Sequence, residues 1–306
     1  MNNVHDYDSL IESIKNNQYI HTLDEYDDKI PDDVVQYNKL LIESKDIIDK
    51  DGKTALMYVC KYYTHDNLPD IVEILKDTRN IQNKNDRTAL MYACIYHTHN
   101  NLPKIVELLK DTMHIQDNDG WTTLMFACIY YEHNNLPEIV EILKDTRNIQ
   151  DKYGWTALMY ICEQYTHTNL PEIVELLKDT MHIRDNDGNT ALMNMCKYYN
   201  QPNLPEIVEI LKDTMHIQNN VGMTALMYIC ENYNQPNLPE IVRILKDSIN
   251  MKNNVGKTAL MYVWANYKHD NLPKIVEILK ETCQLQNEDG DTDLMYVCMH
   301  VSIIKN

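Results

Sequence analysis

The sequence predicts an all-α solenoid of stacked helix-turn-helix units with short β-turn fingers. First, the tetrad Thr54-Ala55-Leu56-Met57 recurs nearly unchanged every 34 residues down the 306-residue chain. A fixed period of this length is typical of arrays in which each unit buries its apolar face only against its neighbours. Second, each period passes from a turn signal to two short segments with helical apolar spacing. The repeated threonines are Thr54, Thr88, Thr122, Thr156, Thr190, Thr224, Thr258 and Thr292.

Each repeat begins with a turn, as in Asn118-Asp119-Gly120 of the third repeat. The second repeat has Asp86 in the glycine position. Glycine, asparagine and aspartate share a tolerance of positive φ, so this slot predicts a left-handed backbone. All seven glycines of the chain occupy it: Gly52, Gly120, Gly154, Gly188, Gly222, Gly256 and Gly290.

Two short helices follow the turn. Thr122 is suited to cap the first helix, and apolar residues continue at helical spacing to Cys128. Pro137 is suited to the first turn of the second helix, whose apolar stripe covers 139–143. Lys144 ends that helix with a charge that favours its C-terminus. The unit is therefore predicted to be turn, helix, loop, helix and extended return.

The order Gly-x-Thr-Ala-Leu, a short helix ending in Ala-Cys, and then Ile-Val-Glu-Ile-Leu resembles the ankyrin repeat. The resemblance covers 50–306 and implies an ankyrin-repeat solenoid of about eight repeats, the last one incomplete. Tetratricopeptide repeats have the same length but place proline at the end of the second helix, whereas proline opens it here.

The repeats depart from the family pattern in three ways. Ala-Leu-Met replaces Pro-Leu-His, so the histidine that ties neighbouring turns in the family is missing. The loop between the helices, such as Tyr131–Pro137, is longer, and the return segment is shorter. We therefore expect the fingers to project less, and the inter-helix loops more, than in the family.

Residue usage adds a second resemblance. The recurring Thr-Ala-Leu-Met-Tyr and the abundance of Asn, Ile, Tyr and Lys are similar to ankyrin repeat proteins of giant amoeba-infecting DNA viruses. This resemblance implies a role in host–virus interaction and a location in the host cytoplasm.

The two ends differ from the repeats. Residues 1–49 lack the threonine slot and predict a helical N-terminal cap, with helices at Ser9–Lys15 and Tyr37–Ile42, the second being a degenerate half repeat. The alternative is a separate recruiting motif. At the other end, 290–306 predicts either a frayed end or a truncated copy whose open face recruits a partner.

The net charge and the positions of the cysteines limit the classes of function that the protein can have. The formal charge of −18 disfavours nucleic-acid binding. No apolar run approaches ~18 residues, so no membrane span is predicted. The cysteines other than Cys283 occupy one slot of the repeat, which predicts free, buried thiols in a reducing cytoplasm rather than disulfides. They are Cys60, Cys94, Cys128, Cys162, Cys196, Cys230 and Cys298.

Three constellations resemble metal sites. Cys94, His97 and His99 have zinc-like spacing, but they occur in one repeat only and Cys94 belongs to the buried cysteine slot. Asp117–Gly120 and Asp185–Gly188 resemble the start of a calcium loop without its later ligands, so a turn is favoured. We predict no catalytic, cofactor or metal site, and hence no enzyme.

Slots that vary between repeats are free to face a partner. The slot between glycine and threonine varies most, and the resemblance places it on the finger. The two residues after the cysteine slot also vary, and the resemblance places them on the concave face. We predict a hydrophobic patch with a charged rim. The patch residues are Trp121, Trp155, Ile95, Tyr96, Ile129 and Tyr130, with Arg87, Asn189 and Met223 as further partner-binding candidates.

The tryptophans leave an alternative open, in which Trp121 and Trp155 pack flat on a neighbouring turn. With the patch, the sequence predicts a monomeric, non-catalytic scaffold that binds an unknown protein partner. The alternative function is a substrate-recruiting adaptor for a ubiquitin ligase, acting through the N-terminal or C-terminal segment.

Overall fold

The computed structural model of the chain describes residues 3–18, 20, 39–96, 100–131, 133–164, 169–198, 202–233, 235–266, 270–279 and 290. The regular secondary structure of these residues is helical, and they contain no β-strand. The chain divides into two compact units. Unit 1 is residues 1–152 and unit 2 is residues 153–306. The eighth repeat predicted near the C-terminus lies outside the described residues except for Gly290.

Each described repeat supplies a first helix and a second helix, most of them eight residues long. The first helices are Ala55–Tyr62, Ala89–Tyr96, Thr123–Tyr130, Ala157–Gln164, Ala191–Tyr198, Ala225–Asn232 and Ala259–Asn266. The second helices are Leu68–Leu75, Leu102–Leu109, Leu136–Leu143, Leu170–Leu177, Leu204–Leu211, Leu238–Ile244 and Leu272–Leu279.

A turn of 3-10 helix, which was not predicted from the sequence, extends most of the second helices. It is held by a threonine or serine hydroxyl that donates back to the last helical carbonyl, as Thr146 Oγ1 does to Leu143 O at 2.8 Å. These turns are Lys76–Thr78, Lys110–Thr112, Lys144–Thr146, Lys178–Thr180, Lys212–Thr214 and Lys246–Ser248.

The predicted helix starts are confirmed. Thr122 Oγ1 accepts a hydrogen bond from the backbone N–H of Met125 at 3.4 Å, which is the contact of an N-cap. Pro137 lies in the first turn of the second helix, where its missing N–H costs no hydrogen bond.

The N-terminal segment is helical over Asn3–Lys15, a longer helix than the predicted Ser9–Lys15. It packs against the first helix of the first repeat and buries Leu10 and Ile14 completely. Residues 39–44 form a further helical stretch. The predicted helix start at Tyr37 lies outside the described residues.

Helix packing within each unit forms the core. In both units the first helices of successive repeats pack on one another, as do the second helices. The shared apolar slots are buried, including Leu124 and Val140 at 0 % exposure. The Cys slot is also buried and its described members are thiols rather than disulfides, as predicted. They are Cys60, Cys94, Cys128, Cys162, Cys196 and Cys230.

Candidate functional site

The turns position the variable slot. At Gly120 φ is +85° and at Asp86 it is +58°, which confirms the left-handed turn position. An aspartate three residues before the glycine closes the turn, because Asp117 Oδ1 accepts from the backbone N–H of Asp119 at 2.9 Å and of Trp121 at 3.0 Å. The slot that varies between repeats is therefore fixed to a rigid loop.

Neighbouring turns are tied together without the family's histidine. The backbone N–H of Asn118 donates to the carbonyl of Asn85 at 3.1 Å, and the Asn118 side chain donates to the carbonyl of Lys84, also at 3.1 Å. In unit 2, Asn220 makes both kinds of contact, to Asp187 O and Asn186 O. Backbone groups and a recurring asparagine thus hold the turns in register.

The calcium-like segments are turns, as favoured above. Asp185 Oδ1 accepts from the N–H groups of Asp187 and Asn189 at 3.0 and 2.8 Å, so this oxygen serves the loop. The part of the chain that the structure describes contains no group of three or more His, Cys, Asp or Glu arranged to hold a metal ion. His97 and His99 lie outside it.

In unit 1, Phe126 is the centre of an aromatic cluster. Its ring lies 5.1 Å from that of Trp121 and 6.2 Å from that of Tyr130, between centroids. The guanidinium of Arg87 lies 4.9 Å from the same centroid, within cation–π range. Arg87 Nε also binds Asp117 Oδ2 at 3.1 Å, and that carboxylate is only 3 % exposed. We call Arg87, Asp117, Trp121, Phe126 and Tyr130 the arginine niche.

The other unit 1 candidates lie at the ends of first helices. Tyr96 is 42 % exposed and Tyr130 is 51 % exposed, so both rings face solvent. Ile95 and Ile129 are half-buried beside them. Lys61 Nζ lies 4.6 Å from the Tyr96 ring centroid, which puts a positive charge at this surface.

Each tryptophan packs against the aromatic residue of its own repeat. Trp121 packs against Phe126 with an angle of 49° between the ring planes, and Trp155 packs against Tyr160 at 48° with centroids 5.0 Å apart. Each indole therefore contacts the aromatic ring of its own repeat at a tilt, and its side chain is half-buried. Trp121 belongs to unit 1 and Trp155 to unit 2.

Two of the candidates are buried in unit 2, which corrects their assignment to a partner-facing surface. Asn189 is 6 % exposed and Met223 is 5 % exposed. Asn189 Oδ1 accepts from Asn219 Nδ2 at 2.7 Å, and the Met223 sulfur accepts from the hydroxyl of Tyr262 at 3.4 Å. Residues of the following repeat thus cover this slot, and both side chains serve the packing.

Unit 2 has a surface cleft of about 420 Å³ that was not predicted from the sequence. Three aromatic rings and three carboxylates contribute to its lining. The backbone holds its two sides together, since Asn186 N–H donates to Tyr153 O at 3.0 Å. The side chains in question are Tyr153, Trp155, Tyr160, Glu163, Asp185 and Asp187.

Asn194 is the residue whose departure from the repeat pattern could have indicated this cleft in the sequence. It stands in a slot of the first helix that holds tyrosine or phenylalanine in the other repeats. In the first repeat the tyrosine of that slot, Tyr58, donates its hydroxyl to Asp49 Oδ2 at 2.6 Å. Asparagine is too short to give Asp185 the same contact. Asn194 is 1 % exposed, and its Nδ2 has no hydrogen-bond partner among the described residues.

The buried cysteines have little thiolate character at neutral pH. Burial raises the pKa of the Cys94 thiol to about 12, which keeps it protonated at neutral pH. The described helices include none that is long and apolar enough to cross a membrane.

Comparison with known proteins agrees with this repeat geometry. A family model of ankyrin repeats, covering three copies at a time, matches overlapping windows that together span most of the chain. The windows are residues 32–112, 65–151, 95–179, 130–214, 165–248 and 192–289. No curated protein matches the chain.

One solved structure shows the same fold. The chain is similar to the ankyrin repeat domain of Bcl-3, described as a unique member of the IkappaB protein family, with a TM-score of 0.54 and 22% sequence identity. The match covers 73% of this chain and 100% of that one. The fold class is therefore the helical repeat solenoid, and the chain belongs to the ankyrin-repeat family. Ankyrin repeats are generally protein–protein interaction scaffolds and typically non-catalytic.

Proposed function

We propose that this protein is a non-catalytic scaffold that binds a protein partner on its turn fingers and the concave face formed with the first helices. The observation that carries the proposal is the position of Trp121 and Trp155 on rigid turns, where each indole is only partly buried. Tryptophan is enriched among residues that dominate binding energy, and exposed aromatic surface is costly without a partner. The proposed contact residues are Trp121, Trp155, Ile95, Tyr96, Ile129 and Tyr130, with Arg87 at the rim.

The net charge of −18 supports a basic protein partner rather than a nucleic acid. The free buried cysteines support a reducing location, and we propose the cytoplasm. The similarity to ankyrin proteins of giant viruses, and with it a host protein as partner, stays a prediction from residue usage. We propose a monomer.

The N-terminal segment supports the cap over the recruiting motif. Asn67 Nδ2 donates to Ile20 O at 2.6 Å, and Ile20 is 1 % exposed. In the third repeat Asn135 makes the same contact to Asn100 O of the preceding repeat, at 3.2 Å. Ile20 therefore offers Asn67 the acceptor that a preceding repeat offers Asn135, and we propose that 1–49 is a cap ahead of the repeats in 50–306. The ligase-adaptor alternative stays a prediction.

Affinity capture from the native cell tests the main proposal. We expect Trp121→Ala plus Trp155→Ala to remove proteins captured by the parent chain, at about 2 kcal/mol or more of binding free energy per tryptophan. The matched control is Lys53→Ala plus Lys257→Ala, which changes the same slot in outer repeats and should retain the captured proteins. If the tryptophan variant keeps its circular dichroism spectrum and still captures them, the proposed surface is wrong.

A further inference from the structure

The cleft of unit 2 combines aromatic faces with carboxylates. Trp155 and Tyr160 form a tilted pair with centroids 5.0 Å apart, and Tyr153 is 66 % exposed at the rim. The negative face of an aromatic ring attracts a cation, best at an indole. The aromatic part of the cleft can therefore hold the flat, weakly hydrated face of a guanidinium.

Asp185 supplies a negative charge that no ion pair among the described residues neutralises. Asp185 is 7 % exposed and has no ion-pair partner among the described residues, whereas Asp187 interacts electrostatically with Lys197 without a close ion pair. Asp185 Oδ2 accepts only a long 3.3 Å hydrogen bond, from Asn189 Nδ2. The nearest arginine along the chain, Arg184, donates to the carbonyls of Gly188 and Gln218. A largely buried carboxylate without a cation is costly, so a cationic ligand would be favoured there.

The chain itself shows what such a position accepts. In the arginine niche of unit 1, Arg87 lies over the Phe126 ring and binds Asp117. Asp117 and Asp185 occupy the same position of the repeat, two periods apart. Trp155 stands in unit 2 where Arg87 stands in unit 1, so unit 2 has the carboxylate and added aromatic surface but lacks the arginine.

We propose that the unit 2 cleft binds the arginine side chain of a basic partner segment, between the Trp155–Tyr160 pair and the carboxylates of Asp185 and Asp187. The inference rests on the proposed scaffold function and names the chemistry of its partner. Arginine fits better than lysine because the guanidinium is planar, stacks on aromatic rings and meets a carboxylate in a forked geometry.

The test is an NMR titration of the full chain with the capped tripeptide acetyl-Gly-Arg-Gly-amide, followed at the indole N–H of Trp155. We expect a saturable shift of that resonance. The neutral isostere acetyl-Gly-citrulline-Gly-amide should bind at least about tenfold more weakly, because it lacks the charge. A lysine or citrulline peptide that binds as tightly as the arginine peptide would contradict the assignment.

Two variants follow in-chain precedents that keep the fold. Asp185→Asn retains the turn, since Asn83 and Asn219 close the equivalent turns, and should weaken binding at least about tenfold. Asn194→Tyr restores the residue of the other repeats, gives Asp185 a hydroxyl and should abolish binding while the melting temperature is maintained or raised. Asp213→Asn removes an exposed charge elsewhere in unit 2 and should bind like the parent.

If Asp185→Asn and Asn194→Tyr both bind the arginine peptide within about twofold of the parent, the cleft proposal is wrong. That result leaves the scaffold function standing, because the capture experiment depends on the tryptophan variants and a native partner. Conversely, loss of the scaffold function would appear as unchanged capture by the tryptophan variant, whatever the peptide titration gives.

Discussion

The two units treat the same carboxylate slot in opposite ways. In unit 1, Asp117 pairs with Arg87 of the preceding repeat, and Phe126 carries the guanidinium on its ring. In unit 2, Asp185 has no ion-pair partner among the described residues, and Asn194 replaces the ring. The contrast teaches that two substitutions at fixed slots turn an internal ion pair into an open, acidic and aromatic cleft. The repeat backbone need not change.

The largest expected difference in unfolding free energy lies at the first-helix position that holds Phe126 in unit 1 and Asn194 in unit 2. Phe126 is 1 % exposed and contacts Trp121, Tyr130 and Arg87, so Phe126→Ala should cost about 3–5 kcal/mol of unfolding free energy. Asn194→Ala removes a buried amide whose Nδ2 is unpaired and should cost less than about 1 kcal/mol. Urea unfolding of both variants measures the two costs, and equal costs would break the comparison.

The ion pair of the arginine niche should contribute less to the free energy of unfolding than the Phe126 ring does. Arg87→Met keeps the length of the side chain but leaves the Asp117 carboxylate, 3 % exposed, without its cation, which should cost about 1–3 kcal/mol. The matched control is Arg79→Met, because Arg79 pairs with Asp111, which is 64 % exposed. An exposed pair contributes under about 1 kcal/mol.

Adding Asp117→Asn to Arg87→Met should recover most of the loss. Asn83 and Asn219 already close the equivalent turns with their side-chain oxygens, so asparagine is compatible with this position. Unfolding free energies that are equal for Arg87→Met and Arg79→Met would show that the niche is no different from a surface ion pair.

The shared slots of the repeat were predictable from sequence because comparing copies within one chain separates shared from variable positions. The left-handed turn at Gly120, the N-cap at Thr122, Pro137 in the second helix and the free Cys128 all follow from residue type at a repeated position. Each depends only on local backbone chemistry or on burial that every copy has in common.

The fate of the variable slot was not predictable in the same way, because it depends on the next repeat. Met223 is buried, and Tyr262 and Asn253 of the next repeat donate to its sulfur. Trp155 is only half-buried, beside a repeat whose aromatic slot holds Asn194. The single departure at Asn194 was visible in the sequence. Its meaning required the Tyr58–Asp49 contact that the structure shows in the first repeat.

The smallest expected effect is that of a substitution that leaves the unit 1 carboxylate without an arginine, as in the unit 2 cleft. Arg87→Ala should empty the arginine niche while leaving Asp117, Phe126 and Trp121 in place. The peptide acetyl-Gly-Arg-Gly-amide should then bind in the vacated position and restore stability. At a peptide concentration equal to its Kd the gain is about 0.4 kcal/mol. Thermal unfolding measures this gain as the stabilisation of Arg87→Ala by the peptide minus that of the parent chain, whose unit 2 cleft binds the same peptide.

The citrulline peptide is the control for this rescue, because it has the same shape without the charge and should leave the melting temperature of Arg87→Ala unchanged. The parent chain should not respond through unit 1, since Arg87 already fills the niche. Equal rescue by both peptides would mean that the position selects shape rather than charge. The carboxylate of Asp117 would then have no part in selecting arginine, and the parallel drawn for Asp185 would lose its basis.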